Sequence, residues 1–550
     1  MIKLPDIVIS ILYILSILAM GLWVGINHRR KNKAGGASEY FLAGKSLKWP
    51  AIGLALFATN ISTVHLVSLA QSGFDTGLLN GNFEWMAAFT LILLALFFAP
   101  FYIKSGVATL PDFLEKRYDR SSRNWLTVIS IVSAVIIHIA FSMLAGGIVL
   151  KTLFGVSMYT SVIVICIVTA IYTIIGGLKA VVVTESIQTV ILIAGAVIIS
   201  VTAFNKMGGW QPMISVLQNQ QQMDKLSMLR PHGDGSGMPW YAVFLGYPVL
   251  GIWYWCADQT IVQRVLGAKD ANHARVGSLF CGFIKILPVF IFVLPGLFAY
   301  TLAQSGKLDL SSITTVNNAG ETITNSKGIY TLMITQLLPS GVIGILVAAL
   351  LSGLMSQVSS ALNSISTMIS YDVYKRYHPA TSDKRLVFTG RVVAGVALVF
   401  SLALLPLLNQ YESIFSGIND IIAHIAPPIT CVFLLGVFWK KASAQSAKLT
   451  LWIGSALGAA VFAINKLFTH TLIAGIPFMM MAFYLFFVCV LMQVLFSYVY
   501  PMQHTEESER LYWKSVTEPL REQGWKGFGN YKRLSVLLLA VMGILFWIFR

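Results

Sequence analysis

The chain has 550 residues, 56% of them hydrophobic and only 11% charged. A soluble domain carries about 25% charged residues, so this composition excludes an ordinary water-soluble enzyme or binding module and calls for a lipid-facing surface. The formal charge of +16 fits basic loops on one membrane face better than a nucleic-acid interface, and no nucleic-acid partner is expected. Cys166, Cys256, Cys281, Cys431 and Cys489 all lie in apolar runs without CxxC spacing, which argues against a metal centre or a disulfide framework.

The first apolar run, 7–26, is longer than a signal-peptide core and no small-residue cleavage site follows it, so it reads as a retained span. Helical spans are predicted near 5–26, 50–70, 82–103, 126–150, 157–176, 184–205, 241–263, 277–303, 340–370, 387–408, 413–438, 447–468, 473–498 and 534–549. With the N-terminus outside, 28 of the 39 Lys and Arg residues fall on cytoplasmic loops and 9 outside, counting Lys448 and Lys466 at the ends of 447–468 with the adjoining loops, while Lys285 and Arg391 lie within spans. This bias predicts 14 spans, both termini outside, and a multi-pass protein of the inner or plasma membrane with the lipid bilayer as its surroundings. The 499–533 loop mixes signs (Glu506, Glu507, Glu509, Arg510) and reads as a solvated surface helix.

Polarity inside the spans marks candidate sites, since a charge at mid-span costs about 3 kcal/mol on insertion scales. The second span carries Ala58-Thr59-Asn60-Ile61-Ser62-Thr63-Val64-His65, which suggests an unwound helix whose freed carbonyls bind a cation; packing of small polar residues between helices is the alternative. Glu84 stands beside Phe83 and Trp85 at the start of the third span, where an interfacial anchor is the plainer reading. Glu185 begins the sixth span, and pairing with Lys179 is its plain explanation. The seventh span holds Trp253-Tyr254-Trp255-Cys256-Ala257-Asp258-Gln259. Aromatics with a carboxylate suit a sugar, the ring faces covering its C–H face, whereas an interfacial aromatic belt is the competing account. Lys285 lies deep in an apolar run, so it is expected to face a wet cavity. The ninth span carries two polar rows, Ser352, Ser356, Ser359, Asn363, Ser366, Ser370 and Gly353, Gln357, Ser360, Ser364, Thr367. Their spacing puts each row on one helical face, either as oxygen ligands for sodium or as a tight packing seam.

Together these residues resemble the solute:sodium symporter family, in particular its sodium/glucose branch. The likeness runs from about Ser38 to Lys441 through Glu39-Tyr40-Phe41-Leu42-Ala43-Gly44, Ala58-Thr59-Asn60-Ile61, Phe83-Glu84-Trp85, Ile175-Gly176-Gly177, Trp253-Tyr254-Trp255-Cys256, Ile261-Val262-Gln263-Arg264, Leu362-Asn363-Ser364, Tyr371-Asp372-Val373-Tyr374 and 433–440. The resemblance implies an all-α membrane protein with a LeuT-like core of two inverted five-helix repeats: 50–240 and 241–438, flanked by 1–49 and accessory spans in 439–550. It implies a sugar site of Asn60, His65, Glu84, Tyr254, Trp255 and Lys285. Asn419 stands where sugar-transporting relatives place Gln. Tyr254 would close the inner side, and Leu69, Phe83 and Phe415 the outer side. One sodium would take backbone oxygens of Ala58, Ile61 and Gly353 and the hydroxyl of Ser356; a second would use Glu185, Ser359 and Ser360. Gln357 replaces a second hydroxyl after Ser356, and it either ligates sodium through its amide oxygen or points away.

The function so implied is sodium-coupled import of a hexose-like sugar or polyol by alternating access. The alternatives are a family member for an organic anion, vitamin or amino acid, and a sugar sensor with little transport. No GxSxG or HExxH motif points to an enzyme.

Overall fold

The computed structural model describes residues 3–31, 36–316, 322–408, 414–467, 476–502 and 504–550. Apart from one hairpin, Thr314–Val316 against Thr322–Thr324, regular structure among the described residues is helical. Eleven helices there are long and apolar enough to cross a membrane. The difference from the expected 14 falls in three places. The predicted spans 157–176 and 184–205 form one helix, Met158–Met207, kinked at Gly177, whose φ of 67° an L side chain rarely adopts. The predicted spans 50–70 and 241–263 are each broken into short helices.

Outer helices turn large apolar side chains outward, among them Trp23, Phe388, Val399, Leu495 and Trp547. So much exposed apolar surface is rare on a soluble protein and is what a bilayer covers. The inner helix Val342–Met368, by contrast, is buried almost throughout and packs on Met158–Met207. The polar row on it divides its work. Ser352 bonds Tyr13 of the N-terminal helix at 2.7 Å, and Ser370 donates to Leu386 O, so both ends of the row are packing contacts.

The first broken helix consists of Trp49–Asn60 and Thr63–Thr76. Ile61 and Ser62 are extended between them, and Ser62 and His65 form a reciprocal capping box that starts the second half. The second broken helix is Trp240–Ile252, a π-turn over Trp253–Ala257, and Gln259–Leu266. Asp258 is extended here, and one oxygen of its carboxylate caps Thr260 N and Ile261 N at 2.7 and 3.3 Å. The two broken helices are joined at one end of the bundle, away from the breaks: Leu47 N donates to Gly267 O at 3.0 Å, and Lys269 N to Leu47 O at 2.9 Å.

The 499–533 segment is not one surface helix. It contains short helices at Glu506–Glu509 and Glu518–Arg521 and a 3-10 turn at Gly527–Gly529. Pro519, Gly524, Gly527 and Gly529 interrupt any longer run. Glu522 fastens this segment to the bundle by pairing with Lys104 and, at 2.6 Å, with Arg275, which also stacks on Tyr531. Burial pushes the Glu522 carboxyl up, but the two cations outweigh it and hold it below its ordinary value of 4.5. A carboxylate with a depressed pKa stabilises the fold above the unfolded value and loses that contribution as pH falls through the folded one. Proteolysis of 500–530 is therefore expected to rise as pH drops below about 4.5. Glu522→Gln should raise cleavage several-fold at neutral pH, a loss of about 1 kcal/mol, and flatten the pH response; equal cleavage in both proteins at every pH would refute the latch.

Candidate functional site

The break in the first helix follows from its hydrogen bonding. In a continuous helix Ala58 O would accept from Ser62 N. Here Ser62 N donates to His65 Nδ1 at 3.3 Å, and Ala58 O accepts the Ser356 hydroxyl at 2.9 Å. The end of Trp49–Asn60 thus directs carbonyls at the Val342–Met368 helix. Gly353 makes that approach possible: a Cβ there would lie 2.9 Å from Thr63 N and 3.0 Å from Ser62 C. Ala58, Gly353 and Ser356 are therefore brought together, with Ile61 at the adjoining cap.

Beside this seam is a cavity of about 110 Å³. Asn60, His65, Phe83, Glu84, Tyr254, Trp255 and Asn419 all line it, together with Gln357, His138 and Tyr247. Behind them Lys285 is buried, paired with Glu84, donating to Asn60 Oδ1 at 2.6 Å and lying 5.7 Å from the Trp255 ring centroid. Asn60 in turn donates from Nδ2 to the Tyr254 hydroxyl at 3.2 Å. Lysine can only donate, so the Asn60 amide has one sensible orientation. Because His65 Nδ1 accepts from Ser62, the neutral ring carries its proton on Nε2. The cavity therefore offers carboxylate and amide acceptors, an imidazole donor and aromatic faces, the chemistry of a polyhydroxylated solute.

Of the residues expected to act as gates, Phe83 and Tyr254 line the cavity. Phe83 packs edge-on to Tyr247 and stacks on Phe478. Leu69 is buried and is not among the residues lining the cavity. The Phe415 side chain lies outside the described residues.

Glu185 does not pair with Lys179 as the plain reading had it. Its carboxylate meets Arg264 at 2.6 and 3.3 Å and also takes the Ser360 hydroxyl. Glu185 and Arg264 are both fully buried. Ser360 further bonds Thr59 at 3.0 Å, and Ser359 donates to Ser356 O at 3.0 Å. Asp258 is also placed differently from the aromatic reading of its segment, capping the second broken helix while its other oxygen meets His138 Nε2 at 3.1 Å. His138 was not singled out in the sequence. Its signal was a histidine in an otherwise apolar span, with Ser142 four residues on and also lining the cavity.

The helices broken at mid-length, with a cavity between them that carries a few polar groups on an apolar wall, define a multi-pass membrane transporter. A sialic acid symporter, Na+-coupled and solved in a substrate-bound outward-open state, aligns with a TM-score of 0.77 at 21% identity, covering 92% of this chain and all of that one. The nucleobase-cation-symport-1 transporter Mhp1 aligns with a TM-score of 0.52 at 13% identity, over 87% of this chain and 98% of that one. The fold is thus the LeuT-like one. In sequence, the family model for the Sodium:solute symporter family matches residues 40–454. Sodium/glucose cotransporter 1 of Ovis aries is 31% identical over 88% of this chain and 77% of its own length. Sodium/glucose cotransporter 4 of Danio rerio is 33% identical over 82% and 71%. The chain belongs to the sodium:solute symporter family.

Proposed function

We propose that this protein imports a hexose-like sugar or polyol, driven by sodium, by alternating access. The observation that carries this reading is the convergence of Asn60, His65, Glu84, Tyr254, Trp255 and Asn419 on one cavity, next to the Ala58–Ser356 contact. The relatives named for sodium/glucose cotransport support the same solute and ion. A carboxylate solute fits less well, because Lys285 is already neutralised by Glu84.

In this reading sodium takes the carbonyls of Ala58, Ile61 and Gly353 and the Ser356 hydroxyl, all hard oxygen donors. It holds the first broken helix against Val342–Met368 and so favours the state that accepts sugar. Gln357 belongs to this set only if its amide turns from His138. Glu185, Ser359 and Ser360 form a second sodium position. Tyr254 serves as the inner gate, with Leu69, Phe83 and Phe415 on the outer side. The repeats run 50–240 and 241–438, with 1–49 and 439–550 accessory and both termini outside. One sodium ion moving through 100 mV yields about 2.3 kcal/mol, and a tenfold gradient about 1.4 more. That supports on the order of 500-fold accumulation.

The test is uptake of labelled sugars into proteoliposomes. Uptake is expected to collapse when choline replaces sodium. Ser356→Ala should raise the sodium concentration for half-activation about tenfold, for loss of one charge-assisted contact, while sugar affinity at saturating sodium changes less. Equal uptake under a proton gradient alone would remove sodium from the mechanism.

A further inference from the structure

Gln357 stands where the family resemblance implies a sodium-binding hydroxyl, yet its surroundings point elsewhere. Its Nε2 lies 2.5 Å from His138 Nδ1, and His138 Nε2 lies 3.1 Å from Asp258 Oδ2. Asp258 is an acceptor, its other oxygen already capping Thr260 and Ile261. The neutral His138 ring must then donate from Nε2 and accept at Nδ1. Opposite that tautomer the Gln357 amide offers its NH2 group to His138, leaving Oε1 on the other side. That oxygen is buried and finds no donor among the described residues, and an unmet buried acceptor is costly enough to need an explanation. Gln357 and His138 both line the cavity of Asn60, His65 and Glu84, whereas Ala58, Ile61, Gly353 and Ser356 are not among its lining residues.

We propose that Gln357 contacts the sugar: its side-chain oxygen accepts a hydrogen bond from a substrate hydroxyl, and His138 and Asp258 are positioning residues that hold it there. This rests on the sugar reading above. An acceptor that lacks a donor, on a residue of the cavity wall, matches a hydroxyl donor; the oxygen itself is covered here and meets the sugar as the Gln357 side chain adjusts around it, and a sugar ring presents hydroxyls to more than one wall. Glu84 and His65 then serve one part of the ring, and the Val342–Met368 helix serves another through Gln357. Asp258 also caps the second broken helix beside Tyr254, so the chain Asp258–His138–Gln357 ties the orientation of the sugar contact to that break.

The experiment uses the full-length protein, D-glucose, D-galactose and their monodeoxy analogues, with two readouts. One is competition for sodium-driven uptake at saturating sodium; the other is the sodium-induced rise in unfolding temperature without sugar. If the parent takes up neither sugar, the sugar reading itself fails. Given uptake, Gln357→Met, which keeps length and loses the oxygen, should weaken sugar affinity about tenfold and leave the sodium-induced rise intact. One monodeoxy analogue should already bind the parent weakly and lose nothing further in Gln357→Met, the non-additivity of a shared contact. His138→Phe should weaken the same sugars about as much, because the amide is no longer held. If instead the rise with sodium disappears in Gln357→Met while every analogue loses affinity by the same factor, the residue is a sodium ligand and the proposal is overturned. Unchanged sugar affinity in Gln357→Met, in protein that unfolds at the parent temperature, overturns it as well.

Discussion

Glu84→Ala is expected to abolish uptake and to destabilise the protein by about 3–5 kcal/mol. Glu84 and Lys285 are 2% and 1% exposed, so removing the carboxylate strands an ammonium whose remaining strong partner is Asn60 Oδ1. The more conservative Glu84→Gln, and Asn60→Ala, should each cut sugar affinity tenfold or more, about 1.4 kcal/mol. The double variant Glu84→Gln, Lys285→Met separates structure from recognition. It removes both charges, and replacing a buried pair by well-packed neutral groups is often neutral in stability. Most of the lost stability should therefore return while uptake stays absent. Thermal unfolding and equilibrium sugar binding on the same preparations check this. Sugar affinity unchanged in both Glu84→Gln and Asn60→Ala would put the solute elsewhere.

Arg264→Ala should cost a comparable 3–5 kcal/mol in choline, because Glu185 is left fully buried with only Ser360 as partner. The same variant tests the second sodium position. Both Glu185 oxygens are engaged by Arg264, so a cation there takes the place of the guanidinium or shares the carboxylate with it. If sodium binds, Arg264→Ala should regain much of its unfolding temperature when sodium replaces choline, far more than the parent gains. An equal and large loss in both media would leave Glu185 as Arg264's structural partner and nothing more.

What could be read from the sequence depended on range. The polar run 58–65 betrayed a broken helix because the cause is local: Ser62 and His65 are three positions apart and cap each other. Glu84 and Lys285 were each legible as misplaced charges, but their pairing was not, since 201 positions separate them. Glu185 shows the same limit, where nearness in sequence suggested Lys179 and the fold supplied Arg264. Asp258 illustrates another limit. Its aromatic neighbours suggested a ligand, while its immediate use is to start a helix, as an Asp before Gln259-Thr260-Ile261 can. The span count diverged where helices break or kink, because length and hydropathy assume an unbroken rod. His138 carried no motif, and its importance emerges only once Gln357 and Asp258 stand on either side of it.

The clasp between Leu47 and the 267–269 turn has a consequence for how the halves move. Both of its hydrogen bonds run from main chain to main chain, so it does not depend on which side chains occupy these positions. Helices Trp49–Asn60 and Gln259–Leu266, one from each break, are thereby coupled at their shared end like two arms of a single lever. When the cavity changes access, these arms turn together, and the opening must be made by their movement against the surrounding helices rather than against each other. Substitutions of the buried Leu47 should act through packing and leave both hydrogen bonds in place, whereas proline at 47 or 269 removes a donor and loosens the coupling between the arms.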